Sequence, residues 1–129
     1  MSKLDKESII GISALLVHAA KIDEIYSDHE KDLIKNFIKS YLENGDPNEF
    51  LKKAEEVEKN SNQLLNYTNI IKQNSTDIKK DIIEHLWKVI ISDNTVDQYE
   101  SNLMRRICGL IYFPDKECAE IKLKLIDNK

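Results

Sequence analysis

At 129 residues the chain is long enough for one hydrophobic core and short of the length at which chains split, so a single domain over 1–129 is expected. Its 19 basic and 23 acidic residues are interspersed, giving a net charge of -4, which disfavours a concentrated positive face and, with it, nucleic acid as a direct partner. Three Gly and two Pro argue against turn-rich β architectures. No apolar run approaches the roughly 20 residues of a membrane-spanning helix, and the charged start Met1 to Glu7 lacks a signal-type apolar core, so a cytoplasmic chain is expected.

Apolar residues recur at three- and four-residue intervals almost throughout, which predicts an all-α fold of seven helices. The first runs from about Asp5 to Ile22 with Ile9, Ile12, Leu16, Ala19 and Ala20 on its inner face. The second runs from Ser27 to about Glu43 with Leu33, Ile34, Phe37 and Tyr41 inward, and Gly45 is placed to cap its end. Asp46-Pro47-Asn48-Glu49 opens the third helix, Asp46 as the cap, Pro47 at the first helical position and Glu49 at capping-box spacing. Its Lys52 to Lys59 run reads as a solvated stripe. The fourth helix spans about Ser61 to Gln73; Asn74-Ser75-Thr76 then supplies a cap for a fifth, Asp77 to Ser92, with Ile78, Ile82, Leu86, Val89 and Ile90 inward. A sixth runs from Asp97 to Tyr112 and a seventh from about Pro114 to Asp127.

Sliding the chain on itself by seventy residues pairs helix one with five and helix two with six. Ile12 meets Ile82, Leu16 meets Leu86, Asp23 meets Asp93, Glu30 meets Glu100 and Leu33 meets Leu103. Two such hairpins would pack about a pseudo-twofold axis. The repeat places an acidic hinge twice in the chain: Asp23 and Glu30, then Asp93 and Glu100, each pair with six residues between. Ser27 with Glu30 and Asp97 with Glu100 have capping-box spacing, a sufficient structural account of both glutamates. It does not cover the aspartates, because a helix C-terminus carries partial negative charge and favours a cation. Two readings of the aspartates stand side by side. Each caps its own loop; or Asp23, Glu30, Asp93 and Glu100 converge and offer carboxylate oxygens to a hard cation, Mg²⁺ or Ca²⁺. Neither loop has the twelve-residue pattern of an EF-hand, so any binding should be weak. Lys21 and Lys31 are the nearest cations that could compensate the hinge without an ion.

Elsewhere the residues read as structure. Cys108 falls in the stripe Leu103, Met104, Ile107, Leu110, Ile111, and Cys118 is ten residues on without Cys-x-x-Cys spacing, so both are expected as buried thiols. His18, His29 and His85 lack zinc spacing and are expected at or near the surface; Trp87 and Tyr26 are expected as core aromatics. No nucleophile constellation or glycine-rich phosphate loop occurs, and the chain is not expected to be an enzyme.

Leu15-Leu16-Val17-His18-Ala19-Ala20-Lys21-Ile22-Asp23 followed by Glu30, and Leu86-Trp87-Lys88-Val89-Ile90-Ile91-Ser92-Asp93 followed by Glu100, resemble the doubled motif of the TerB-like tellurite-resistance family. The resemblance covers essentially the whole chain. It implies a bacterial, all-helical, pseudo-twofold bundle of about seven helices with a cation site at Asp23, Glu30, Asp93 and Glu100. It also implies a non-catalytic stress or tellurite-resistance module working with partner proteins, in some cases near the membrane as a peripheral protein, and a co-chaperone-like scaffold that binds no metal is the alternative. The family's glycine after each Asp is here Glu24 and Asn94; Asn tolerates the left-handed backbone such a glycine adopts and Glu does so poorly.

Overall fold

The computed structural model describes residues 5–21, 26–42, 44–60, 64–91 and 98–127. Seven helices and no strand occur among them: α1 (Lys6–Ala20), α2 (Asp28–Tyr41), α3 (Pro47–Asn60), α4 (Leu64–Lys72), α5 (Thr76–Ile91), α6 (Gln98–Leu110) and α7 (Asp115–Asp127). Every predicted helix is present, with ends displaced by a few residues. The all-α expectation is met. The two hinge segments that the pseudo-twofold reading would bring together, 22–25 and 92–97, lie outside the described residues.

Capping chemistry sets most of the starts. The Asp5 carboxylate accepts from Ser8 N at 2.7 Å and opens α1. Asp46 accepts from Asn48 N at 3.0 Å through its side chain and from Glu49 N and Phe50 N through its carbonyl, with Pro47 losing nothing by its missing N–H. Ser75 Oγ accepts from Ile78 N at 3.4 Å and starts α5, while the Asn74 amide closes α4 onto the Ile70 carbonyl at 2.7 Å. Gly45 adopts φ +133°, a backbone that side chains rarely take, where the chain turns from α2 into α3.

The core is one cluster built around α1 and α5. α1 packs against α2, α3, α4 and α5, and α5 packs against α1, α2, α4 and α7. The sequence reading gave α1 a single inner face, but Ile9 and every residue from Gly11 to Val17, with Ala19 and Ala20, are buried. A helix that is apolar all round is an interior helix, and α1 is one. In α5 the expected stripe is buried, and Ile83, Trp87 and Ile91 are buried beside it. By contrast α2 and α3 bury one face each, through Ile34, Phe37 and Ile38, and through Phe50, Leu51 and Ala54.

α6 ends in a Schellman motif. Phe113 N donates to the Cys108 carbonyl at 2.9 Å and Tyr112 N to the Gly109 carbonyl at 3.4 Å, around Tyr112 at φ 60°. Glycine usually holds that left-handed position; here the exposed tyrosine ring lies under Lys72 Nζ, 4.8 Å from its centroid. The turn carries the chain directly into α7, whose Cys118 and Ile121 pack on the core.

Candidate functional site

The first hinge is assembled from the end of α1, the start of α2 and one side of α3. Ser27 N-caps α2 in a reciprocal capping box: its hydroxyl accepts from Glu30 N at 3.3 Å, while a Glu30 carboxylate oxygen accepts from Ser27 N at 2.9 Å and from Ser27 Oγ at 3.2 Å. Glu30 is only 5 % exposed. A carboxyl group that deeply placed must be hydrogen bonded to be tolerated, and the capping box at the positive end of the helix dipole supplies this.

Tyr26 precedes the cap and plugs the hinge, half-buried against the core. Burial pushes its phenol well above the usual range, and Glu55, Glu30 and Glu58 push in the same direction. Three carboxylates therefore act on one hydroxyl. Two lysines answer them from the ring faces, Lys21 Nζ at 5.7 Å and Lys31 Nζ at 5.1 Å from the Tyr26 centroid. Lys21 also bonds Glu58 at 2.9 Å, and His18 Nδ1 stands 3.4 Å from the other Glu58 oxygen. The two lysines expected near the hinge are thus both part of it.

Glu55 and Glu58 went unread in the sequence, where the α3 run passed for a solvated stripe. Both are only partly exposed, and the Glu58 side chain is 13 % exposed. The signal was present: Glu58 follows Leu51 and Ala54 by seven and four positions, so helical periodicity carries the buried face of α3 onto it.

Of the four candidate metal ligands, Glu30 sits at the hinge as described, while Asp23, Asp93 and the side chain of Glu100 lie outside the described residues, as does the Asp97 cap. Among the described residues no group of three or more His, Cys, Asp and Glu is disposed to hold a metal ion. Nor is any described helix long and apolar enough to cross a membrane.

A second polar group joins α2 to α5. The Tyr41 hydroxyl donates to Asp81, whose other carboxylate oxygen lies 3.7 Å from His85 Nε2, and the His85 ring meets Phe37 edge-on at 5.2 Å. Burial and Asp81 both hold the Tyr41 phenol protonated.

The third joins α5 to α7. Trp87 Nε1–H donates to Cys118 Sγ at 3.3 Å, and Lys122 Nζ sits 5.3 Å from the Trp87 ring. A cavity of about 550 Å³ opens beside them, walled also by Met104, Arg105, Asp115 and Lys116. Cys108 and Cys118 are both free and buried, as their apolar stripes predict.

Neither a curated protein nor a solved structure matches the chain. The family model described as tellurite resistance protein TerB matches residues 10–123, a span that takes in α2 to α6 whole and most of α1 and α7. The chain belongs to the tellurite resistance protein TerB family.

Proposed function

We propose that the protein is a non-catalytic, cytoplasmic, tellurite-resistance-type stress module that works with protein partners and holds a divalent cation, Mg²⁺ or Ca²⁺, weakly through Asp23, Glu30, Asp93 and Glu100. The observation that carries this reading is the twice-repeated acid pair, Asp23 with Glu30 and Asp93 with Glu100, of which Glu30 stands at the first hinge. Paired carboxylates at two hinges are the oxygen ligands that a hard cation takes.

The rival is a metal-free scaffold in which the acids only order helix ends. Its support is the completeness of the Ser27–Glu30 box and the two lysines over Tyr26. Titration with Ca²⁺ and Mg²⁺, read as melting temperature, separates the two, because a ligand of the native state raises stability with its concentration. The cation reading expects a saturable rise that Asp93→Asn abolishes while unfolding stays cooperative. A melting temperature indifferent to either ion, or a rise unchanged in both Asp93→Asn and Glu30→Gln, leaves the scaffold.

A further inference from the structure

Cys118, one of the two cysteines in the chain, lines the Trp87 cavity. The two cysteines stand ten positions apart, on α6 and α7, on either side of the Schellman turn. Cys108 donates to the Cys118 sulfur and is held protonated by that bond and by burial. Cys118 receives it, and receives the Trp87 indole N–H as well. The two thiols consequently differ in kind. Cys108 is fully enclosed and does not line the cavity; Cys118 does. Cys118 also sits in the first turn of α7, where unpaired amides favour negative charge, with Lys122 one turn further on. The Cys108 and Trp87 bonds and Lys122 all favour its thiolate, against burial and the carboxylate of Asp115.

We propose that Cys118 is a site of reversible oxidation by hydrogen peroxide, with Cys108 as the resolving thiol that closes an internal disulfide beside Trp87. In the first step the Cys118 thiolate attacks one peroxide oxygen and the O–O bond breaks. Cys118 becomes a sulfenic acid and hydroxide leaves, with the cations Arg105 and Lys122 at the cavity wall to receive its charge. In the second step the Cys108 sulfur attacks the sulfenic sulfur, the S–O bond breaks, and the oxygen departs as water with the Cys108 proton. Two thiols lose one electron each and one peroxide becomes two waters. A cavity of about 550 Å³ admits such a molecule without rearrangement.

The chain's single tryptophan is bonded to the reacting sulfur, so it reports on the chemistry directly. Folded protein is treated with equimolar hydrogen peroxide and followed by intact mass and by Trp87 emission. The expected result is loss of two hydrogens from the mass together with a change in emission, both reversed by dithiothreitol. Cys108→Ser should stop at a Cys118 sulfenic acid that dimedone traps on the α7 peptide, and Cys118→Ser should not react. Iodoacetamide mapping on the unaltered protein guards against variants that fail to fold: Cys118 should be alkylated before Cys108. Oxidation no faster in the folded protein than in urea, or Cys108 modified first, would overturn the proposal.

Discussion

A carboxylate enclosed as Glu30 is must be held by its neighbours, and the residue that holds it is Ser27. Ser27→Ala removes the hydroxyl that accepts from the Glu30 amide and donates to the Glu30 carboxylate, and keeps only the bond from the Ser27 backbone N–H. We expect a loss of about 1 kcal/mol, or roughly 3–5 °C in melting temperature, measured by thermal unfolding. A change under 1 °C would mean that the box is not what orders the start of α2. His85 makes a different kind of demand. Burial holds its imidazole below the ordinary value of 6.5 and Lys88 adds to this, while Asp81 and Glu84 oppose. An imidazole with a depressed folded pKa takes up its proton more readily once unfolded. Its contribution is therefore complete above the unfolded value and is lost as pH falls below that value toward the folded one. Melting temperature should fall between about pH 7 and pH 5 more steeply in the unaltered protein than in His85→Gln. Parallel profiles would show that another group carries the acid sensitivity.

At the scale of elements, the end of α6 departs most from ordinary sequence rules. A left-handed C′ position costs a residue with a β-carbon roughly 1–2 kcal/mol, and Tyr112 occupies one. The lysine over its ring offsets part of this, since an exposed cation–π contact is worth about 0.5–1 kcal/mol. Tyr112→Ala keeps the backbone cost and loses the contact; Tyr112→Gly loses both. Urea unfolding should therefore find Tyr112→Gly more stable than Tyr112→Ala by about 1 kcal/mol. Equal stabilities would mean the turn relaxes to another conformation. This turn also marks where reading from sequence stops. The seven helices were legible because three-four periodicity is local, and the caps Ser27, Asp46 and Ser75 because a hydroxyl or carboxylate before a periodic run has few other uses. The Trp87–Cys118 bond was not legible, since it joins residues 31 apart through a left-handed tyrosine that no propensity favours. The hinge was half legible: Glu30 and its two lysines came from spacing, whereas Glu55 and Glu58 arrive on a helix whose approach to α1 the local pattern does not specify.

For the whole molecule, the decisive feature is that α1 is covered by four helices, α2, α3, α4 and α5, while α5 keeps an exposed side at Lys80 and Lys88. α1 keeps its cover only while α2, α3, α4 and α5 all stay in place, and its apolar circumference has no stable solvated form. An amide in the middle of α1 can meet solvent deuterium only when the bundle comes apart, whereas α3, with three buried residues, can fray on its own. The slowest-exchanging amides should thus be those of Leu15, Leu16, Val17, Ile83 and Leu86, with opening free energies that converge on the global stability and fall with denaturant at the global slope. α3 amides should exchange through smaller openings nearly independent of denaturant. If α1 exchanged as fast as α3, the central position of that helix would not be a property of the protein in solution. The helix of this bundle that is made earliest would then be the last to lose its hydrogens: α1 is synthesised before the helices that cover it, and its protection is written by the residues that follow it.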